Sequence, residues 1–124
     1  GIVHSMAHGL SALYDTPHGV ACAIILPTGL EYNKPVAGKR YRAIGKAMQV
    51  PGIDNMTDEE AADATIAAVK QLSLDVGIPQ NLNGILKEED VAFLSQSAYA
   101  DACCPGNPRD TSEEEIAQLY KSLL

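Results

Sequence analysis

The sequence predicts an all-α protein, a helical bundle of five to six helices joined by short loops. Three observations carry that expectation. Apolar residues recur at three- and four-residue spacing through most of the chain, helix breakers and caps fall between the periodic segments, and strand-like alternation is missing. Only residues 23–26 form a short apolar run of the kind a strand would use.

The first helix is "GIVHSMAHGLSALY". It opens already inside its periodic pattern, without the Ser, Thr, Asp or Asn that usually precedes a helix. "DTPHG" breaks it. Pro17 fixes its own backbone, pushes Thr16 out of the helical region and suits the first position of a new helix. The second helix is expected over about residues 18–32. Val20, Ala21, Ala23, Ile24, Ile25, Leu26 and Leu30 make it apolar almost all round, the pattern of a buried helix. Pro27 is expected to kink or split it, and "NKPVAGK" reads as a loop.

A third helix is expected over about residues 40–50, with Tyr41, Ile44 and Met48 on one face, ended by "PGIDNM". "TDEE" at residues 57–60 is a capping box, with Glu60 placed to reach back to the Thr57 amide. The fourth helix carries Ala62, Ile66, Val69, Leu72 and Val76 as its stripe, and "GIP" at residues 77–79 stops it. A fifth covers about residues 88–103. After "CPGNPRD", Thr111 and Ser112 compete to cap the last helix, whose buried stripe is Ile116, Leu119, Tyr120 and Leu123.

Composition excludes some functions. The net charge of −7 argues against nucleic-acid binding, and Lys39, Arg40 and Arg42 are too sparse to form a basic footprint. No apolar run approaches the roughly 20 residues of a membrane span, and no basic-then-apolar leader is present. A soluble, cytoplasmic setting is expected. Cys22, Cys103 and Cys104 are odd in number, with two adjacent and no framework spacing, which fits reduced thiols.

All three histidines of the chain lie within its first eighteen residues. His4 and His8 are one helical turn apart on one face. A hairpin folded at "DTPHG" brings His18 back alongside them. Neutral imidazole binds iron and zinc well, so a metal site is compatible with this spacing, as is an incidental histidine pair. The stretch is not the His-Glu-x-x-His of zinc proteases, since no glutamate stands between His4 and His8 to act as base. A catalytic metal takes three or four protein ligands. Asp15 reads as a turn residue, and the acidic runs at residues 58–60 and 113–115 suit the positive ends of helix dipoles, so the site looks incomplete.

The stretch "GIVHSMAHGLSALYDTPHGVACAIILPTGLEYN" resembles the C-terminal helical domain of the iron-containing (group III) alcohol dehydrogenases. The family pattern is G-x-x-H-x-M-A-H-x-L, then P-H-G, then an apolar helix ending in L-P and E-x-N. "YRAIGKAM", "DVGIPQNL" and "GNPRD" extend the match over essentially the whole chain. The character is that of the lactaldehyde reductase, 1,3-propanediol dehydrogenase and butanol dehydrogenase type. The resemblance implies that His4 and His18 are ligands of the catalytic Fe²⁺ or Zn²⁺. It implies that His8 faces nicotinamide and substrate and relays a proton. It also implies that an aspartate, a further histidine and the NAD(P)-binding domain lie upstream of this chain.

Residues 1–124 are therefore expected to form part of the C-terminal domain of a two-domain dehydrogenase, with the dinucleotide-binding domain absent. The missing starting methionine and missing cap agree with a fragment, and "PTGLEYN" is not a phosphate-binding loop. The parent enzyme is expected to interconvert a small primary alcohol and its aldehyde by hydride transfer. The isolated chain is expected to be inactive. The apolar surface left uncovered favours self-association, in the simplest case a homodimer. Two other readings stand beside this one: a free-standing helical module that binds a metal or a partner, and a bundle with incidental histidines.

Overall fold

Six α-helices follow one another in the computed structural model, which describes all 124 residues. They are α1 (Ile2–Tyr14), α2 (His18–Ala37), α3 (Tyr41–Ala47), α4 (Asp58–Asp75), α5 (Val91–Ala100) and α6 (Glu113–Ser122). Short 3-10 turns occupy Gly38–Arg40, Ile53–Asn55, Glu88–Asp90 and Cys104–Gly106, and no strand forms. The all-α bundle expected from periodicity is the fold observed. No helix is long and apolar enough to cross a membrane.

The larger core is made by α1, α2, α5 and α6. Ile2, Met6 and Leu10 of α1 meet Ile24 and Ile25 of α2, Leu94 of α5, and Ile116 and Tyr120 of α6, all buried. Removing each such side chain from water contributes about 1.5–3 kcal/mol. Tyr120 is fully buried, and its hydroxyl donates to the Met6 carbonyl at 2.7 Å, so its polar end is satisfied inside the core. A smaller cluster, Ala37, Tyr41, Ala62 and Ile66, joins the last turn of α2 to α3 and α4. Thus α2 runs through both clusters and ties the two helix groups together.

Four expectations about α2 and α3 need correction. Pro27 does not split α2, which runs without a break to Ala37 and contains both Pro27 and Pro35. An interior proline costs about 3 kcal/mol in an isolated helix, but packing on neighbouring helices outweighs that here. Pro27 is itself buried. The "NKPVAGK" stretch is not a loop for the same reason. Lys34 donates to Asp63 of α4 at 2.8 Å, and Ala37 is buried against α3 and α4. On α3, the buried residues are Tyr41 and Gly45, whereas Ile44 faces solvent. The helix also stops at Ala47, where Gln49 adopts a left-handed backbone (φ 61°) and closes the turn.

Helix ends follow the sequence more closely. The Thr57–Glu60 capping box forms in both directions, at 2.9 and 3.2 Å. Ser112, rather than Thr111, caps α6 by accepting the Glu115 amide at 3.1 Å. Gly77 takes φ 80°, and the Ile78 and Gly77 amides return to the Ser73 and Leu74 carbonyls at 2.8 and 3.1 Å. That pair of bonds is a Schellman closure. The far end of the α4 stripe is not buried as expected: Leu72 and Val76 are more than half exposed. The fifth helix is shorter than expected because Asp101 leaves the helical region (ψ 141°).

Candidate active site

The hairpin between α1 and α2 builds the site. Asp15 closes α1 in a left-handed conformation (φ 56°), Thr16 is buried, and Pro17 sets His18 as the first residue of α2. His4 and His8 stand one turn apart on α1. The three imidazoles therefore meet as the spacing predicted. Ring centroids are 6.1 Å apart for His4 and His8, 5.5 Å for His4 and His18, and 5.5 Å for His8 and His18.

The three rings have different surroundings. His4 is exposed and makes no side-chain hydrogen bond. His18 is exposed, and its one polar side-chain contact is the Cys22 thiol, 3.6 Å from its Nε2. One turn of α2 separates those two residues. Ligand atoms of His4, His18 and Cys22 all lie within 4.8 Å of one another, so two imidazoles and a thiol stand close enough to share one ion. Burial pushes the Cys22 thiol up, toward its protonated form. This donor set fits a divalent iron or zinc ion, to which imidazole and thiolate both bind.

His8 is engaged differently. Its Nδ1 lies 2.9 Å from Oδ2 of Asp101, the residue that ends α5. The other Asp101 oxygen, Oδ1, accepts the Cys103 amide at 2.8 Å. Partial burial pushes the Asp101 carboxyl up, the Cys103 amide and the His8 ring pull it down, and the balance lies below the usual carboxylate range. A groove of about 370 Å³ opens beside this pair, between α1 and α5, with Ser5, Gly9, Phe93 and Ser97 in its walls.

Sequence reasoning placed the three histidines and missed their carboxylate. Asp15 and the acidic helix starts, weighed there as candidates, do not meet the imidazoles; Asp101 does. A signal was available. A carboxylate at the C-terminal end of a helix opposes the helix dipole, so its presence calls for a compensating partner.

A second polar network supports the site from behind. The Asn33 and Asn107 side chains exchange amide hydrogen bonds at 3.0 and 2.8 Å. Asn107 Oδ1 also accepts the Ile2 amide at 3.2 Å, which supplies the cap that α1 lacks in its own sequence. Arg109 lies over the Tyr32 ring, 4.2 Å from its centroid, and donates to the Tyr32 carbonyl at 2.8 Å. The Tyr32 hydroxyl donates to the Asp110 carbonyl at 2.9 Å and to Glu115.

Fold and site together define a helical domain whose opening hairpin gathers three imidazoles beside a carboxylate-lined groove. The chain belongs to the Fe-containing alcohol dehydrogenase family, whose C-terminal model it matches over residues 1–124. It is 46% identical to the lactaldehyde reductase of Escherichia coli K12, across 97% of the chain and 31% of that protein. It is 39% identical to the 1,3-propanediol dehydrogenase of Klebsiella pneumoniae, across the whole chain and 32% of that protein. The crystal structure of a 1,3-propanediol oxidoreductase superposes with a TM-score of 0.95 at 38% identity, covering all of the chain and 32% of that structure. An alcohol dehydrogenase from Oenococcus oeni gives 0.93 at 38% identity, with the same two shares. The chain spans about a third of the length of these relatives.

Proposed function

We propose that the protein carrying this chain is a metal-dependent NAD(P) alcohol dehydrogenase that interconverts a small primary alcohol and its aldehyde. The observation that supports this most directly is the cluster of His4, His8 and His18 in a domain of this family. His4 and His18 would hold the divalent metal, Fe²⁺ or Zn²⁺, together with ligands outside residues 1–124. When bound, that ion supplies Lewis-acid polarisation of the alcohol or aldehyde oxygen. NAD(P), held mainly by an N-terminal domain outside this chain, supplies the hydride acceptor or donor.

The chain's own residues take the remaining tasks. His8 borders the groove beside the other two imidazoles, where it can face nicotinamide and substrate. Imidazole exchanges protons near neutral pH, so His8 can carry the alcohol proton toward solvent and return it in the reverse direction. Phe93 and Leu13 form apolar parts of the groove wall. Residues 1–124 act in this reading as part of a C-terminal catalytic domain in a cytoplasmic enzyme, and alone they are inactive.

Anaerobic titration of the purified chain with Fe²⁺ and Zn²⁺, beside a His4→Ala/His18→Ala control, tests the ligand assignment. Weak binding that disappears in the control is the expected result. Tight stoichiometric binding would favour a self-sufficient metal module, with Cys22 as the third donor already at hand. The activity itself is tested on the protein in its whole length: absence of metal-dependent aldehyde reduction would overturn the dehydrogenase reading.

A further inference from the structure

We propose that Asp101 is a positioning residue that fixes the His8 ring as the Nδ1–H tautomer, leaving Nε2 as the only nitrogen free to exchange a proton. The inference deepens the proposed role of His8 and rests on that reading for its functional meaning, but its structural content stands by itself.

The argument begins with the carboxylate. An ionised carboxylate only accepts hydrogen bonds. Asp101 Oδ2 is 2.9 Å from His8 Nδ1, so the proton between them sits on the ring nitrogen. A neutral imidazole carries one N–H, so Nε2 is then the bare nitrogen. Asp101 cannot rotate away without cost, because Oδ1 holds the Cys103 amide at 2.8 Å. Its backbone is held as well: the Asp101 amide donates to the Ala98 carbonyl at 3.2 Å, and its carbonyl accepts the Cys104 amide at 3.0 Å. Both oxygens and both backbone polar groups are engaged.

Placement adds to this. Asp101 stands at the end of α5, where the dipole disfavours negative charge. The Cys103 turn alone does not require a carboxylate, since a serine hydroxyl also accepts such an amide. The reach to His8 does require a longer acceptor. The geometry is that of a base oriented by a third group, with the orienting oxygen on α5 and the ring on α1. Because the contact crosses between two helices of the core, it also fixes the ring against rotation about its own bond to the backbone.

The test reads the tautomer directly, without any bound metal. Nitrogen-15 correlation spectra of the metal-free 124-residue chain, at a mildly alkaline pH where ordinary imidazole is neutral, report which His8 nitrogen is protonated. The wild-type chain is expected to show His8 protonated on Nδ1. Asp101→Ser keeps an acceptor for the Cys103 amide but is too short for His8, so its His8 signal is expected to move toward the Nε2–H form. Asp101→Asn has one acceptor oxygen where aspartate has two; with that oxygen on the Cys103 amide its NH2 faces Nδ1, so this variant too is expected to move His8 toward the Nε2–H form. A wild-type His8 protonated on Nε2 overturns the proposal, whether or not either variant folds. An Asp101→Ser chain that folds with His8 unchanged overturns it too. Loss of aldehyde reduction in a whole-length His8→Ala enzyme tests the proposed function separately, so failure of one is distinguishable from failure of the other.

Discussion

At the scale of single residues, the tightest constraint lies far from the histidines. Gly45 sits where α3 crosses α4, and a methyl group there would collide with Ile53 Cδ1 and Thr65 Oγ1. Thr65 cannot yield easily, since its hydroxyl donates to the Ala61 and Tyr41 carbonyls at 2.8 and 3.1 Å inside the protein. Gly45→Ala is therefore expected to lose about 1–3 kcal/mol, the usual cost of overpacking, as a lowered urea midpoint. The same residue shows why some of the sequence misleads. A glycine carries no hydropathy signal, so Tyr41, Ile44 and Met48 look like the inner face of α3. The helix instead turns its smallest residue inward to bring two backbones together, and Ile44 is left outside. His4, His8 and His18 were legible because local rules alone bring them together: one helical turn, then one proline-directed reversal. Asp101 was not, because its distance to His8 is set by how α5 lies on α1.

At the scale of elements, caps and hydroxyls carry the checkable energetics. Thr57→Ala removes the side-chain half of the capping box of α4, leaving only the Thr57 amide on Glu60, and is expected to cost about 1 kcal/mol in chemical unfolding. Tyr32, which links α2 to α6, has an alkaline signature. Burial, the Glu115 hydrogen bond and the Glu115 charge push its hydroxyl up to about 12, while Arg109 pulls the other way. The folded value lies above the unfolded one of about 10. Its contribution to stability is thus complete below about pH 10 and is lost as the pH rises through about 12. Ultraviolet titration of the phenols should show Tyr32 ionising late. Tyr32→Phe should remove that transition and flatten the alkaline loss of stability. Element ends were readable from sequence wherever chemistry is local, as at Thr57, Gly77 and Ser112. They were not readable at Pro27 or at residues 33–37, where α3 and α4 hold a helix that its own residues would break.

On the scale of the whole molecule, exposed apolar residues are not scattered evenly. Leu72, Leu74 and Val76 stand out at the end of α4, and Leu13 and Phe93 beside the groove, each more than two-fifths exposed. Surfaces of this kind mark contacts with other protein. The purified chain is expected to self-associate with rising concentration in sedimentation velocity, and charged substitutions at Leu72 and Val76 are expected to reduce it. A chain that stays monomeric throughout would assign those residues no such role. The family was legible from the hairpin and the "GNPRD" loop together, because both carry residues with positional duties: the histidines at one end, Asn107 and Arg109 at the other.

That loop also sets an order of events. The first amide of the histidine helix is closed by Asn107, 105 residues further along, and the Met6 carbonyl on the same helix waits for Tyr120, 114 residues further along. During synthesis on a ribosome, α1 leaves before α6 and has no lasting partner for these groups until α6 has followed. The histidine helix is thus made at the beginning of this stretch and locked in place at its end. Nascent chains stalled before residue 107 should leave the Ile2 amide open to hydrogen exchange, and only release past Tyr120 should give α1 its full protection.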